Sequence, residues 1–297
     1  METKEAVTKK NGEKMMKWWL LIVCACCCAG AQAAGEEPTL LSPFGVEADF
    51  QIRSAYHSRM RVSEDRPVAA TEVRLNADVG PLGEVGVMNW TYSSLCNRYA
   101  DVHRRAFCEV DYAVFWKYDL ALSDDVTLSS EFMNWWITLP QNIEPHKGKE
   151  DRSLYELWYV GALKNPYLVP SVLIRRGWVN ASWVYFRYGV SRSFTVFDFG
   201  TEASPRPLTV TPGFFVETGS QALYEARFGK KSAGRRYHTG IGSCLAQVSV
   251  DWHATENVSF MARVEQFDLV SNDARDGVHG RQRRDYTMFR LGVRFVF

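Results

Sequence analysis

Residues of the types that perform covalent chemistry lie close together in the sequence between residues 217 and 238. Glu217 lies near the end of one predicted strand, and His238 lies near the start of the next. Ser220 and Ser232 lie in the loop between them. A catalytic hydroxyl needs an adjacent base, and the base needs a third group that orients it. Nothing in this spacing requires such an arrangement, so we name no catalytic residue and expect no enzyme.

Charged and apolar side chains alternate through most of the chain after residue 45. In residues 46–53, Val, Ala, Phe and Ile occupy one face, while Glu, Asp, Gln and Arg occupy the other. The same alternation recurs in residues 72–79, 109–122 and 258–265. A period of two residues predicts β-strands with one apolar and one polar face. No amphipathic helix of convincing length competes with this pattern.

The length of the predicted strands separates two kinds of β protein. They run to about nine to thirteen residues, whereas strands in soluble proteins typically have about five or six. A strand that crosses a membrane needs roughly nine to eleven residues when it is tilted. The strand lengths therefore favour a membrane barrel over a soluble sandwich.

The connections between the predicted strands alternate in length. Short turns at residues 80–83, 123–125, 165–167 and 253–257 separate longer polar loops, of which residues 57–68 form the first. Short turns at one end and long loops at the other are typical of outer-membrane barrels. We therefore predict an all-β, transmembrane, antiparallel up-and-down barrel of twelve strands over residues 46–297, with short periplasmic turns and longer extracellular loops.

Composition excludes some partners and supports a membrane setting. The formal net charge of +1 argues against a general nucleic-acid binder, which usually carries a basic excess. Aromatic residues make up 13% of the chain, with 10 Trp and 13 Tyr. Tryptophan and tyrosine favour the membrane–water interface and form girdles around transmembrane barrels.

The first residues have the pattern of an export signal. Four lysines from Lys9 to Lys17 precede an apolar run, and an Ala-Gln-Ala sequence ends at Ala33. This order is typical of a secretory signal peptide, so we expect residues 1–33 to be removed, with Met15 or Met16 as an alternative start. Residues 34–45 would then form a short periplasmic segment. A lipid-modified cysteine within the signal is a weaker alternative.

Three cysteines remain after the signal peptide. Cys96 and Cys108 flank one long loop, and an exported protein meets an oxidising compartment. A disulfide between them is a candidate, with two free thiols as the alternative. Cys244 is left as a small packed residue, and no Cys or His spacing indicates a metal site. We expect no cofactor.

The chain ends with the sequence FRLGVRFVF, residues 289–297. One row of this predicted strand is apolar, and it consists of Phe289, Leu291, Val293, Phe295 and Phe297. In this feature the sequence resembles bacterial outer-membrane β-barrel proteins, whose last strand alternates in the same way and ends in Phe. The resemblance implies that these five residues are the membrane-assembly signal for the barrel-assembly machinery. It implies no particular function.

The polar rows of the strands predict a charged lumen. We expect the following residues to line it: Glu47, Asp49, Arg53, Glu72, Arg74, Asp78, Glu109, Asp111, Lys117, Asp119, Glu131, Arg263, Glu265, Arg290 and Arg294. Two interpretations remain open, a narrow channel for small polar solutes and a closed structural or adhesive barrel. Barrels of eight strands are filled by side chains, whereas those of sixteen or more enclose a channel. A secreted, soluble, glycan-binding β protein is a third interpretation.

One long loop is locally basic in a chain that is nearly neutral. Its positive residues include Lys230, Lys231, Arg235 and Arg236. Such side chains contact phosphates and acidic glycans favourably, so this loop is a candidate anion-binding site for lipopolysaccharide. We expect outer-membrane lipids and lipopolysaccharide as partners, no nucleic acid, and a monomer.

Overall fold

The computed structural model describes residues 44–60, 62–64, 66–95, 109–138, 153–178, 182–228, 236–237, 240–276 and 284–297. Long antiparallel strands make up most of this part of the chain. In chain order they are β1 (Phe44–Arg53), β2 (Tyr56–His57), β3 (Val62–Glu64), β4 (Val68–Asp78), β5 (Glu84–Ser94), β6 (Glu109–Ser123), β7 (Val126–Thr138), β8 (Ser153–Lys164), β9 (Val169–Gly177), β10 (Trp183–Ser191), β11 (Phe194–Asp198), β12 (Pro207–Gly219), β13 (Ile241–His253), β14 (Val258–Leu269) and β15 (Asp285–Val296). The helices described are α1 (Gln221–Phe228) and α2 (Asn272–Asp276).

The sheet closes on itself. Neighbours in sequence pair around it, and β1 pairs with β15, where Asp49 lies opposite Arg294 and Phe50 opposite Val293. β10 and β11 pair with successive stretches of β12 and so act as one bent strand. The result is a closed antiparallel barrel of twelve strands, as the sequence predicted. β1 begins at Phe44, two residues before the expected start of the barrel.

The two ends of the barrel differ. Short connections lie at one end, which we call the turn end. One of them is the turn Val79–Gly83. In this turn Gly83 has a φ of 89°, and its N–H donates to the Gly80 carbonyl at 2.9 Å. A Cβ at Gly83 would lie 2.2 Å from the Lys117 carbonyl oxygen, so the turn requires glycine. The long connections lie at the opposite end, which we call the loop end. Among the described residues, no helix is long and apolar enough to cross a membrane.

Side chains on each strand alternate between the two surfaces of the barrel. The outward row of β15 contains Phe289 and Leu291, which are 56% and 63% exposed. Other outward apolar residues that are also exposed include Phe50, Leu75, Val87, Phe132, Phe186, Phe214, Val248, Phe260 and Val264. In the hydrocarbon of a membrane, an unpaired strand edge would expose backbone polar groups that have no hydrogen-bond partner. A closed sheet with an apolar outer belt avoids this cost, because every strand is paired.

The interior contains two apolar clusters toward the loop end and is mainly polar toward the turn end. One inward apolar cluster lies on β4 to β7 and includes Met88, Trp90, Phe115, Met133 and Trp135. A second cluster joins β10 to β15 with the loops and helices at that end, and it includes Leu223, Tyr224 and Phe228 of α1. Nearer the turn end, the inward rows carry mainly charged side chains. The loop-end half of the lumen is therefore filled by side chains.

Candidate functional site

The first loop joins β1 and β4, and its described residues 54–60 fold into the barrel. It contains the short β2–β3 hairpin, and Ala55 and Met60 are buried in the second apolar cluster. Met60 is 0% exposed. It packs so closely on β13 that a Cβ added at Gly242 would lie 2.4 Å from the Met60 Sδ. The sequence predicted a long polar loop here but gave no sign of its inward path.

The tip of the first loop is held by an ion pair. Arg59 donates to the carboxylate of Glu156 on β8, which is completely buried. The other oxygen of Glu156 accepts a hydrogen bond from Trp158 Nε1 at 2.7 Å. The Arg59 guanidinium also lies 5.0 Å from the centre of the Trp183 ring on β10. Because a buried charge that loses its partner is costly, this pair fixes the loop against the far wall.

His57 ties the same loop to a second buried carboxylate. Its Nε2 lies 3.4 Å from Oε2 of Glu217 on β12. Glu217 also accepts hydrogen bonds from Tyr185 Oη and Ser243 Oγ, each at 2.6 Å. The imidazole ring packs on Phe267, with 4.5 Å between ring centres. These contacts give Glu217 a structural role: its oxygens accept hydrogen bonds from a phenol and a hydroxyl, and the imidazole of His57 lies beside them.

The serine and histidine residues that suggested covalent chemistry are not gathered in the described structure. Ser232 and His238 lie outside the described residues, and the hydroxyl of Ser220 accepts a hydrogen bond from the Val184 N–H at 3.1 Å. The hydroxyl of Ser243 donates to the buried carboxylate of Glu217, which also accepts from Tyr185. In the described part of the chain no group of three His, Cys, Asp or Glu residues could hold a metal ion.

The tip of the first loop is also strained. Arg59 and Met60 have φ angles of 52° and 61°, and they are the only non-glycine residues with positive φ in the described chain. A non-glycine residue in this region costs about 1–3 kcal/mol and persists only where its surroundings hold it. The ion pair of Arg59 and the burial of Met60 supply that restraint.

The base of the first loop packs on the opposite side of the lumen. The Tyr56 ring lies 5.3 Å from Trp90 and 4.7 Å from Tyr92, both on β5, measured between ring centres. Tyr56 belongs to the β2–β3 hairpin and not to a strand of the barrel wall. Burial among these rings raises the pKa of its phenol to about 12. The first loop thus contacts residues of β5, β8 and β12.

The charged interior divides into two walls. On the β4–β8 wall, carboxylates surround the basic groups: Arg74 binds Glu72 and Glu131 at 2.8 Å each, and Lys117 lies 3.7 Å from Glu84. Glu109 and Asp111 are buried on the same wall. On the wall formed by β1, β15 and β14, arginines outnumber carboxylates. The contacts there are Arg263 and Arg290 with Glu265, and Arg294 with Asp49, all at 3.4 Å.

Three other residues that the sequence predicted to line the lumen have the following positions. Glu47 lies on the inward row of β1, opposite Arg74 and Val296. Asp119 lies near the turn end, where it accepts from Lys164 at 3.1 Å. Asp78 caps the neighbouring turn by accepting from the Gly80 N–H at 2.8 Å, so its carboxylate serves the turn.

The last strand of the barrel is paired as far as its final residue. The backbone of Phe297 exchanges two hydrogen bonds of 2.9 Å with Val46, so the last residue is paired. Cys244 is a free thiol on β13. Cys96, Cys108, Lys230, Lys231 and Arg235 lie outside the described residues, whereas Arg236 is described and exposed. The disulfide and the anion-binding loop therefore stay predictions.

Comparisons with known proteins concern the fold alone. No protein-family model matches the sequence, and no curated protein is similar to it in sequence. The KdgM porin is 9% identical, with a TM-score of 0.42 over 85% of this chain and 99% of that chain. LpxR from Salmonella typhimurium is 9% identical, with a TM-score of 0.47 over 84% and 100%. An outer membrane channel from Pseudomonas putida F1 is 10% identical, with a TM-score of 0.48 over 86% and 95%.

The closed sheet and the apolar outer belt define a class. They are the features of a transmembrane β-barrel of the bacterial outer-membrane type.

Proposed function

We propose that this protein is an integral outer-membrane channel for small polar solutes, and that its first loop closes the channel in the conformation described above. The observation that carries the proposal is the path of that loop, which crosses the lumen and binds Glu156 and Glu217 on the far wall. The predicted signal peptide and the lengths of the connections favour an orientation with the loop end outside the cell and the turn end in the periplasm.

The way in which the loop is attached supports a gate. Its two ends join β1 and β4, which pair directly with each other, so the loop can move without breaking the barrel. Its tip is strained at Arg59 and Met60, and undocking would relieve that strain. The polar half of the lumen on the turn-end side would hydrate a solute path.

A closed structural or adhesive barrel is the second candidate. The apolar cluster on β4 to β7 favours it, because Trp90, Phe115 and Trp135 fill the lumen beside the first loop. A secreted, soluble, glycan-binding protein finds no support, since it would expose the apolar belt around the barrel to water.

Passage of solutes through liposomes separates the two candidates. Residues 57–64 would be replaced by a short Gly-Ser linker, and the refolded barrel would be placed in vesicles that swell when sugars or amino acids enter. A channel would admit small neutral solutes faster after this replacement, and large sugars would still be excluded. A folded variant that leaves the vesicles impermeable would show that the barrel is closed by its wall side chains.

A further inference from the structure

Three arginines lie side by side on the inner wall. Arg53 of β1 lies directly opposite Arg290 of β15, and Arg290 lies directly opposite Arg263 of β14. All three point inward, because the residues that flank Arg290, Phe289 and Leu291, form the exposed outer row. Adjacent strands are about 4.8 Å apart, so this arginine row concentrates three positive charges on one short arc of the wall.

The arginine row is only partly neutralised by the residues around it. Like charges that lie directly opposite on neighbouring strands destabilise a sheet. Glu265 accepts from Arg263 and Arg290 at 3.4 Å each, which is long for a charge-assisted hydrogen bond. Arg53 donates to Gln51 Oε1 at 2.9 and 2.6 Å, and that oxygen is neutral. Three guanidinium groups thus face one carboxylate, which leaves a local excess of two positive charges.

Donors in this arginine row also lack acceptors. The Nε atoms of Arg263 and Arg290 are buried and have no hydrogen-bond partner among the described residues. The two side chains nevertheless keep 23% and 17% of their surface exposed, although both point into the lumen. Water in the lumen therefore reaches both guanidinium-bearing side chains.

We propose that the row of Arg53, Arg290 and Arg263 binds a small oxyanion that carries carboxylate or phosphate groups. The planar guanidinium fork matches both groups, and two negative charges would balance the excess in the row. The inference rests on the proposed channel function in one respect: it names the class of solute that the channel would select. Arg53 is the last residue of β1, so the bound anion would lie at the root of the first loop.

Equilibrium binding in detergent tests the site without requiring passage of any solute. Phosphate and succinate would be titrated into the refolded full-length protein by calorimetry, with chloride and glucose as comparison solutes. The variant is Arg290→Gln, and its matched control is Arg74→Gln, which removes the same charge from an inward arginine that has two carboxylate partners. Removing one charged donor should weaken oxyanion binding about tenfold in the first variant and less than about threefold in the control.

The thermal unfolding temperature is a second measurement. An anion-binding role and a purely structural role of Arg290 predict opposite changes in it. Without added anion, Arg290→Gln should unfold at the same temperature as the unmodified barrel or a higher one, since it relieves repulsion. Phosphate or succinate should raise the unfolding temperature of the unmodified protein and leave that of Arg290→Gln unchanged. Equal effects of the two substitutions on binding, or no binding of either oxyanion by the unmodified protein, would overturn the site.

The outcomes for the site and for the channel are separable. Oxyanion binding by a barrel that stays impermeable in vesicles would refute the channel and keep the site. A permeable barrel without oxyanion binding would keep the channel and refute the site.

Discussion

Arg59 and Glu156, which are 97 positions apart in the sequence, form an ion pair across the lumen of the barrel. The arginine belongs to the first loop and the glutamate to a wall strand, so this contact joins the loop to the barrel wall. Trp158 and Trp183 complete the surroundings of the pair. The contact is consequently the structural feature on which closure of the lumen depends most.

Shortening the side chain of Met60 should loosen the first loop. Met60 is completely buried, and a Met→Ala change at such a site costs about 2–5 kcal/mol. Because the lost contacts belong to the loop, amide hydrogen exchange should become faster in residues 54–60 and stay unchanged in the strands. Met133→Ala is the matched control, since it opens a cavity in the cluster on β4 to β7. Unchanged exchange in the loop of Met60→Ala would mean that Met60 does not hold it.

A charge should be tolerated on one face of β13 and rejected on the other. Val248 points outward near the middle of the strand, so Val248→Arg should cost about 2–4 kcal/mol in a bilayer. Gln247 points inward and lies opposite Glu265, so Gln247→Arg should change the free energy of unfolding by less than about 1 kcal/mol. Urea unfolding of both variants in lipid vesicles measures the difference. A larger cost for the Gln247 variant would place the strand one residue out of register.

The last residue should matter for assembly more than its neighbour. Phe297 is 70% exposed on the outer surface and its backbone pairs with Val46, whereas Val296 is on the inward row. Phe297→Asp places a charge on the apolar belt and should lower the yield of membrane-inserted barrel strongly. Val296→Thr should leave that yield nearly intact. Comparable yields of the two variants would contradict the assignment of the two faces.

The wall of the barrel could be predicted from the sequence because its signal is local. Alternation with a period of two fixes which residues share a face, so Phe289 and Arg290 could be assigned to opposite sides without any knowledge of their neighbours. The twelve strands followed from the same pattern and from the turns between them.

The contacts that cross the lumen could not be predicted in this way. Arg59 and Glu156 meet because the barrel closes, and the sequence around either residue does not indicate its partner. The first loop is mostly polar in sequence, so no local pattern indicated that Ala55 and Met60 are buried inside the barrel. The arginine row likewise depends on the register of β1 against β15, which join at the two ends of the barrel sequence. Pattern reasoning placed Arg53 and Arg290 on inward faces but could not place them side by side.

Single-channel recording of Glu156→Gln in planar bilayers tests most directly whether the first loop is a gate. The substitution leaves Arg59 without its charged partner, and the loss of a buried partner weakens docking by about 3 kcal/mol. Asp119→Asn is the control, since it breaks an exposed ion pair with Lys164 at the turn end. We expect the Glu156 variant to stay open for a much larger fraction of the time than the unmodified protein, at the same unit conductance, and the control to behave like the unmodified protein. A folded Glu156 variant that shows no channel openings, or openings no more frequent than those of the control, would contradict the gate.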